Sequence, residues 1–195
     1  MQKKLQKLAS LVSGYNFRGS IENEPNGDIF VLQGKNISVG GDIIDTNELI
    51  HISSQTLRNP YFLQYNDILV VSRGSGHGSF RSAVFASHEK NVVASASVHI
   101  IRITDVTALP KYISLYLNSL DGQKALSQIV IGASYIQSIL LKNLADLKIP
   151  IPPIRVQKTI VALHENIIEQ EKLQERKHNI QRTIINASFS NLITQ

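Results

Sequence analysis

The chain of 195 residues contains no cysteine. This absence excludes a disulfide framework and a thiolate metal site, and it is typical of proteins in a reducing compartment. No run of about 18 apolar residues occurs, so the sequence predicts no membrane-spanning helix. Lys3, Lys4 and Lys7 resemble the start of a signal peptide, but the apolar stretch after them is too short and lacks a small-residue cleavage site. We therefore expect a cytoplasmic protein.

Residue patterns that carry catalysis or bind metals are also lacking. Histidines occur at positions 51, 77, 88, 99, 164 and 178, without the spacing of a metal-binding helix, so no metal site is predicted. His99 alternates with apolar neighbours along a predicted strand, and we expect it to face solvent. The glycine-rich residues 74–78 lack the Gly-Lys-Ser/Thr ending of a phosphate-binding loop, so a tight turn is favoured over nucleotide binding.

One stretch is similar to a catalytic motif. Residues 59–62, Asn-Pro-Tyr-Phe, are similar to the Asn-Pro-Pro-Tyr/Phe motif of adenine methyltransferases, but one proline is missing. No glycine-rich strand-turn-helix precedes them to hold a methyl donor, so a turn is favoured. There is no Gly-x-Ser-x-Gly nucleophile elbow and no evident acid–base pair. The sequence predicts no catalytic residue, no metal and no cofactor on this chain.

The composition is that of a folded and moderately basic protein. A hydrophobic content of 43% in 195 residues is enough for one buried core with an appendage. Twenty Lys and Arg against fifteen Asp and Glu give a net charge of +5. This charge permits nucleic acid as a partner without requiring it.

The first 153 residues are predicted to form a strand-rich α+β domain. Leu5, Leu8, Leu11 and Val12 have helical spacing, which predicts a short N-terminal helix ended by Gly14. Strands are predicted at 29–33, 43–44, 68–72, 83–85, 92–94 and 98–103, and two helices at 110–120 and 121–131. The strand at 68–72 is apolar on both faces, so we expect it at the centre of a sheet.

Residues 154–195 are predicted to form one long helix. No Gly or Pro interrupts them, and a helix of roughly 35 residues is about 50 Å long. Its apolar residues recur at intervals of three and four in two groups. The groups are out of register, because continuing the spacing of the first group leads to Gln170 and Gln174 and not to Leu173. The chain offers no second helix of this length, so we expect pairing with a second copy as an antiparallel coiled coil. The predicted dimerisation residues are Ile160, Leu163, Ile167, Leu173, Ile180, Ile184 and Ala187.

Basic and hydrogen-bonding side chains cluster on the predicted loops. Arg and Gln can read base edges in the major groove, whereas Lys, Ser and Tyr more often hold phosphates. For any single residue the alternative is an ordinary solvated side chain. The candidate DNA-binding residues are Arg18, Arg73, Ser75, His77, Ser79, Arg81, Tyr135, Gln137, Ser138 and Lys142.

The order of four segments resembles the DNA-specificity (S) subunit of type I restriction-modification systems. Residues 14–21 are similar to its Gly-x-x-Phe-Arg opening, and residues 66–76 to its Gly-Asp-Ile-Leu strand with an Arg-x-Gly loop. Residues 110–117 are similar to its Pro-x-Tyr/Phe-Leu helix. Residues 147–160 resemble the Ile-Pro-Leu-Pro-Pro-x-x-x-Gln-x-x-Ile signature that joins a recognition domain to its spacer helix. Asn66 stands where the family often has glycine, and the segment from Gly132 also departs from the family pattern.

The resemblance implies a function in DNA recognition. Residues 1–153 would be a target-recognition domain and residues 154–195 a spacer helix. S subunits usually have two of each, so this chain looks like a half-subunit that reads a bipartite palindromic site in double-stranded DNA as a homodimer. The partner methyltransferase subunit would carry S-adenosylmethionine and contact the helix near Gln170, Gln174 and Lys177. A nuclease-translocase subunit is an optional further partner.

Three alternatives stay open. A dimeric adaptor that binds another protein would show no salt-sensitive DNA binding. An enzyme using residues 59–61 would bind S-adenosylmethionine by itself. The chain could also be a fragment of a longer S subunit.

Overall fold

The structure is a computed structural model that describes residues 1–38, 40–41, 43, 48–58, 61–76, 78–132 and 137–193. The chain divides into two units, Met1–Gln157 and Lys158–Gln195. Ile44 of the predicted strand and Asn59–Pro60 of the methyltransferase-like motif lie outside the described residues.

The first unit contains short strands and three short α-helices within its described residues. The strands are β1 (Gln2–Lys4), β2 (Ala9–Ser13), β3 (Ile29–Leu32), β4 (Ile50–Ile52), β5 (Ile68–Val71), β6 (Arg73–Gly74), β7 (Ser82–Val84), β8 (Val92–Ala94), β9 (Val98–Ile103), β10 (Val130–Ile131), β11 (Gln137–Ile139) and β12 (Lys148–Pro150). The helices are α1 (Pro110–Asn118), α2 (Leu120–Ser127) and α3 (Leu141–Asp146), and α4 (Ile154–Ile193) begins at the end of this unit. The predicted α+β class is confirmed.

The largest sheet has the order β2-β9-β5-β7, and β5 is an inner strand as predicted. Every residue of β5 is buried, because neighbouring strands occupy both of its edges and apolar side chains cover both of its faces. In the antiparallel register Leu69 pairs with Ile100 on one side and with Ala83 on the other. These three residues belong to the main core cluster, which also contains Phe85 and Leu32.

A second sheet, of order β4-β3-β8, packs beside the first. It joins an antiparallel pair, β3 with β4, to a parallel pair, β3 with β8. Val31 and Val93 are partners in the parallel pair and are fully buried. This sheet brings residues 33–36 and 95–97, which follow β3 and β8, to the same end of the body.

The predicted N-terminal helix is wrong. Residues 2–13 form β1, a 3₁₀ turn at Leu5–Lys7, and β2. β1 pairs with the proline-containing β12, and β2 pairs with β9. Leu5 and Leu8 have the expected apolar spacing and are fully buried, but the long-range strand pairs outcompete a local helix. Gly14 does not end a helix; a Cβ there would lie 2.1 Å from the carbonyl oxygen of Ser95, so no larger residue fits.

The central helices follow the prediction at their start and differ at their end. Pro110 occupies the first turn of α1, as expected. Ser119 separates α1 from α2, and its hydroxyl accepts a hydrogen bond from the Gly122 amide. The predicted end of α2 is wrong, because Val130–Ile131 is the strand β10, which pairs with β11. β11 itself and α3 fall in segments for which no strand or helix was predicted.

A residue in the left-handed conformation and an ion pair fix the start of β5. Asn66 has a φ of 71°, a left-handed conformation that glycine adopts freely and that asparagine tolerates better than most residues. The next residue, Asp67, is buried and accepts two hydrogen bonds of 2.7 Å from Arg102 on β9. This bidentate pair is a strong geometry for carboxylate and guanidinium.

The long C-terminal helix is confirmed. α4 begins at Ile154 and contains 40 residues, which corresponds to a length of about 60 Å. Its apolar residues are mostly exposed: Leu163 is 60% exposed and Ile184 is 59% exposed. No described helix is both long and apolar enough to cross a membrane.

Candidate nucleic-acid interface

The loops at one end of the body line an open cavity of about 860 Å³. Five segments contribute to it: the segment after β2, the residues after β3, Val71, β6 with the loop that follows it, and the turn between β8 and β9. The lining residues are Tyr15, Asn16, Phe17, Gly19, Ile21, Gln33, Gly34, Lys35, Val71, Arg73, Gly74, Ser75, Gly78, Ser79, Arg81, Ser95, Ala96 and Ser97.

The cavity is cationic. Lys35, Arg73 and Arg81 line it, and the described lining contains no Asp or Glu. The whole chain has fifteen acidic residues, so a lining with cations alone is a local feature rather than a consequence of the modest net charge. Lys35 and Arg73 are exposed, which keeps both charges available to a ligand. A concave surface with several positive charges attracts anions such as phosphates.

The loop after Arg73 has a backbone that requires glycine. Gly76 and Gly78 have φ values of +87° and +79°, where side chains with a Cβ are strained. Gly74 has no such φ, but a Cβ there would lie 2.2 Å from that of Ser79. The Ser79 hydroxyl donates a 2.9 Å hydrogen bond to the Ser75 carbonyl and closes the loop. The predicted tight turn therefore holds polar residues at the cavity rim.

The floor of the cavity is a set of small polar groups. The Gly34 amide donates to the Ser97 hydroxyl at 3.0 Å, and the Ser95 and Ser97 hydroxyls lie 2.7 Å apart. An Arg81 terminal nitrogen donates to the Gly34 carbonyl at 3.4 Å. The buried Nε of Arg81 has no hydrogen-bond partner among the described residues. Arg81 is thus both a structural residue and a donor at the cavity.

A small sheet of order β10-β11-β6 adjoins the cavity. Its register places Ser138 opposite Arg73 and Gln137 opposite Gly74. The Ile139 amide donates to the Ser72 carbonyl at 2.9 Å and extends this pairing by one residue. Two segments that are more than sixty residues apart in sequence are therefore neighbours at the site.

Arg18 lies at a second cavity, of about 730 Å³, which shares Tyr15, Asn16, Phe17 and Ile21 with the first. This cavity is of mixed charge, because Glu22 and Glu24 also line it. The rings of Tyr15 and Phe17 pack edge to face with centroids 4.8 Å apart. These aromatic residues form the boundary between the two cavities.

The structure brings together six of the ten candidate DNA-binding residues. Four line the cationic cavity and two are on β11: Arg73, Ser75, Ser79, Arg81, Gln137 and Ser138. Arg18 lies at the neighbouring cavity, and Lys142 is on α3, where it lowers the pKa of Asp146 as a secondary influence after Lys4. His77 and Tyr135 lie outside the described residues.

Sequence reasoning missed several polar residues of the lining, among them Asn16, Gln33 and Lys35. Asn16 lies two residues before the candidate Arg18, within residues 14–21, which resemble a family motif. Its proximity to Arg18 in the sequence was therefore a usable signal. Gln33 and Lys35 follow a strand whose place in the sheets depends on long-range pairing. No local pattern indicates that these two residues face the loop at 73–81.

Comparisons with known proteins identify the family of the chain. The family model described as "Type I restriction modification DNA specificity domain" matches residues 1–182. The chain belongs to this family.

Solved structures with the type I specificity fold match most of the chain. The crystal structure of a type I restriction-modification S subunit from M. genitalium covers 84% of it, with 18% identity and a TM-score of 0.54. The HsdS subunit from Thermoanaerobacter tengcongensis covers 90% of it, with 16% identity and a TM-score of 0.65. A structure that concerns complex assembly and conformational transition of the type I R-M system also covers 90%, with 18% identity and a TM-score of 0.63.

The specificity-domain chain is shorter than these relatives. It spans 37% of the M. genitalium chain, 44% of the Thermoanaerobacter tengcongensis chain and 40% of the third chain. No match was found among curated proteins.

Proposed function

We propose that this protein reads the sequence of double-stranded DNA as the specificity subunit of a type I restriction-modification system. The observation that carries the proposal is the cationic cavity, with Lys35, Arg73 and Arg81 and no acidic residue in its described lining. Membership in the specificity-domain family supports the same function. The chain itself is then a non-catalytic subunit, and methylation belongs to a partner that carries S-adenosylmethionine.

The residues around the cavity divide into two roles. Lys35 and Arg73 are exposed cations and hold phosphates, which fixes the protein on the duplex. Gln137, on the strand beside them, has the amide that can pair with an adenine edge in the major groove. Affinity is therefore assigned to the cations and sequence preference to β11 and the neighbouring loops.

A salt titration with point variants tests the phosphate role. We expect Lys35→Ala and Arg73→Ala each to reduce the slope of log affinity against log salt by about 1 and to weaken all DNA sequences alike. Gln137→Ala should leave the slope unchanged and relax the preference at one base pair. Lys90→Ala is the matched control, because Lys90 is exposed and lines neither cavity. Equal effects of the Lys90 and Arg73 variants would refute the cavity as the DNA site.

We further propose that two copies pair through α4 in antiparallel orientation. The first part of the helix, residues 158–171, has one lysine against three glutamates, and the second part, residues 172–189, has four basic residues against one glutamate. Antiparallel pairing places each part against the oppositely charged part of the other copy. Parallel pairing places like charges together, so the charge distribution favours the antiparallel form.

The apolar residues fit one register of this pairing. If the two-fold axis passes between Glu171 and Lys172, Leu163 of one copy lies at the level of Ile180 of the other. Leu163 and Ile180 are 60% and 52% exposed, and a second copy would remove both from water. Glu171 would meet Lys172 of the other copy on both sides of the axis. The polar residues between the two apolar groups then mark the axis.

Engineered cysteines test the orientation, since the natural chain contains none. The Lys172→Cys substitution lies beside the axis, so the introduced cysteine should form a disulfide with the same position of the second copy. Leu163→Cys should not, because antiparallel copies separate these positions by about 25 Å, whereas bridged Cα atoms lie within about 7 Å. A mixture of Leu163→Cys and Ile180→Cys should cross-link as a heterodimer. Efficient self-linking of Leu163→Cys would indicate parallel pairing, and a monomeric mass would refute the dimer.

Such a dimer would read an inverted two-part site, because its two recognition bodies are related by two-fold symmetry. Exposed polar residues of α4, such as Gln170, Gln174 and Lys177, are the proposed contacts for the methyltransferase subunit. Selection from a randomised duplex library, with and without that subunit, tests both statements. An inverted motif with a fixed gap supports the dimer, and a single half-motif supports DNA reading by one copy. No enrichment in either condition would favour the adaptor alternative.

A further inference from the structure

His99 is a buried polar residue among the apolar residues Val98, Ile100 and Ile101 of β9. It lies on β9, an inner strand of the main sheet, and is only 5% exposed. The predicted exposure of His99 is therefore wrong. Alternation along a strand predicts which face a side chain occupies, but it does not reveal that β11 covers this face of the sheet and brings Ile139 against the imidazole ring.

The ring has one arrangement of protons that satisfies both nitrogens. Nε2 lies 2.7 Å from the Ile139 carbonyl oxygen, which can only accept a hydrogen bond, so Nε2 carries the proton. Nδ1 lies 3.3 Å from the Ser13 hydroxyl, which then donates to it. Burial lowers the pKa of His99 below its usual value; the hydrogen bond to Ile139 opposes this shift and the nearby charge of Arg73 adds to it, so the ring is neutral near pH 7.

These contacts connect three strands. Ser13 is on β2, His99 is on β9, and Ile139 is the last residue of β11. The Ile139 amide donates to the carbonyl of Ser72, which directly follows β5, and the Ile139 carbonyl is bonded to His99 on β9, so both backbone polar groups of this residue are fixed. The two residues before Ile139 are Gln137 and Ser138, which pair with Gly74 and Arg73.

We propose that His99 is a positioning residue that sets the place of β11 beside the cationic cavity and thereby supports sequence discrimination by Gln137. This inference rests on the proposed function for its DNA consequence, but the placement of β11 can be measured without DNA. His99 touches no ligand itself. It acts through the Ile139 carbonyl on the strand that presents the reading side chain.

Two amide variants separate the two hydrogen bonds of the ring. In His99→Gln the amide nitrogen extends about as far as Nε2 and can still donate to Ile139. In His99→Asn the amide nitrogen extends only as far as Nδ1, so the Ile139 carbonyl loses its partner. Ser13→Ala is the matched control, because it removes the hydrogen bond to Nδ1 and leaves the one to Ile139. All variants are first checked for cooperative thermal unfolding.

The first readout is amide hydrogen exchange of Ile139, measured by NMR in the full chain without DNA. We expect about tenfold faster exchange in His99→Asn, and near wild-type exchange in His99→Gln and Ser13→Ala. The second readout is the ratio of specific to non-specific DNA affinity on the site obtained by library selection. We expect His99→Asn to lower this ratio about tenfold, which is comparable to one mismatched base pair, with non-specific binding unchanged.

The outcomes are distinguishable. Equal exchange rates in the Gln and Asn variants would overturn the role of His99, whatever the DNA result. Equal loss of specific and non-specific binding in His99→Asn would also overturn it, because that result indicates a general loss of structure. A wild-type protein with no sequence preference would refute the proposed function, while the exchange comparison would still decide whether His99 positions β11.

Discussion

Removing the side chain of Gln157 should destabilise the first unit strongly, although this residue carries no charge. Gln157 is fully buried in the first turn of α4. Its Oε1 accepts from the Leu109 amide at 2.9 Å, and its Nε2 donates to the carbonyls of Thr107 and Pro152, both at 2.8 Å. These three bonds join the start of the helix to the segment before α1 and to Pro152, which lies between β12 and α4. The position corresponds to the Gln of the specificity-domain signature.

The expected loss for Gln157→Ala is about 2–3 kcal/mol. Each hydrogen bond contributes about 1 kcal/mol, and the Thr107 carbonyl is near enough to the surface to recover a water. For a unit of this size the loss corresponds to a decrease in Tm of about 5–10 °C. Gln157→Glu should be at least as destabilising, because a carboxylate oxygen would replace the donor and face two carbonyl oxygens.

Urea unfolding at fixed protein concentration is the assay, since association of the long helix makes apparent stability depend on concentration. Lys158→Ala is the control, because the adjacent Lys158 is exposed and its loss should change the free energy of unfolding by less than about 0.5 kcal/mol. A Gln157→Ala protein within about 0.5 kcal/mol of wild type would refute the reasoning, since it would mean that water replaces all three bonds at no cost.

Three further predictions concern the frame of the body. The hydrogen bonds from Lys3 and then Thr107 lower the pKa of Asp105 from 3.8 to about 2. The Asp105 carboxylate therefore stabilises the fold above pH 3.8, and this stabilisation is lost as the pH falls towards 2. Acid unfolding of the Asp105→Asn variant should lack this contribution. Gly14→Ala should cost several kcal/mol in urea unfolding, because its Cβ would overlap a backbone carbonyl 2.1 Å away, and a near-neutral result would contradict the close approach. Asn66→Ala should cost about 1 kcal/mol and Asn66→Gly less, because φ is positive there; equal losses in calorimetry would indicate that the side chain, rather than the backbone, matters.

The elements that sequence could predict are those whose signal is local and strong. β5 and β9 are mainly apolar segments between polar turns, and both were predicted near their observed bounds. α4 was found because nothing interrupts its helical pattern. The same reasoning fails for the N-terminal segment. Its apolar spacing suits a helix, but β12 and β9 provide strand partners that no local pattern reveals.

The candidate site shows the same division. Arg73, Ser75 and Arg81 were identified because the glycine-rich turn that contains them is visible in the sequence. Lys35 was missed because its place depends on β3 lying next to β8. The error at His99 has a related cause: alternation assigns a side chain to a face of the sheet, but only the tertiary structure shows what covers that face.

The pairing of β1 with β12 has a mechanical consequence. Gln2 lies opposite Pro150, and the next residue, Ile151, donates its amide to the Met1 carbonyl at 2.8 Å. A force that pulls Met1 away from the first turn of α4 therefore acts at one end of this short ladder. The strand pairs would peel apart one after another, as in unzipping, instead of sharing the load in shear. The body would yield at this seam under low force, before the buried core around β5 carries tension.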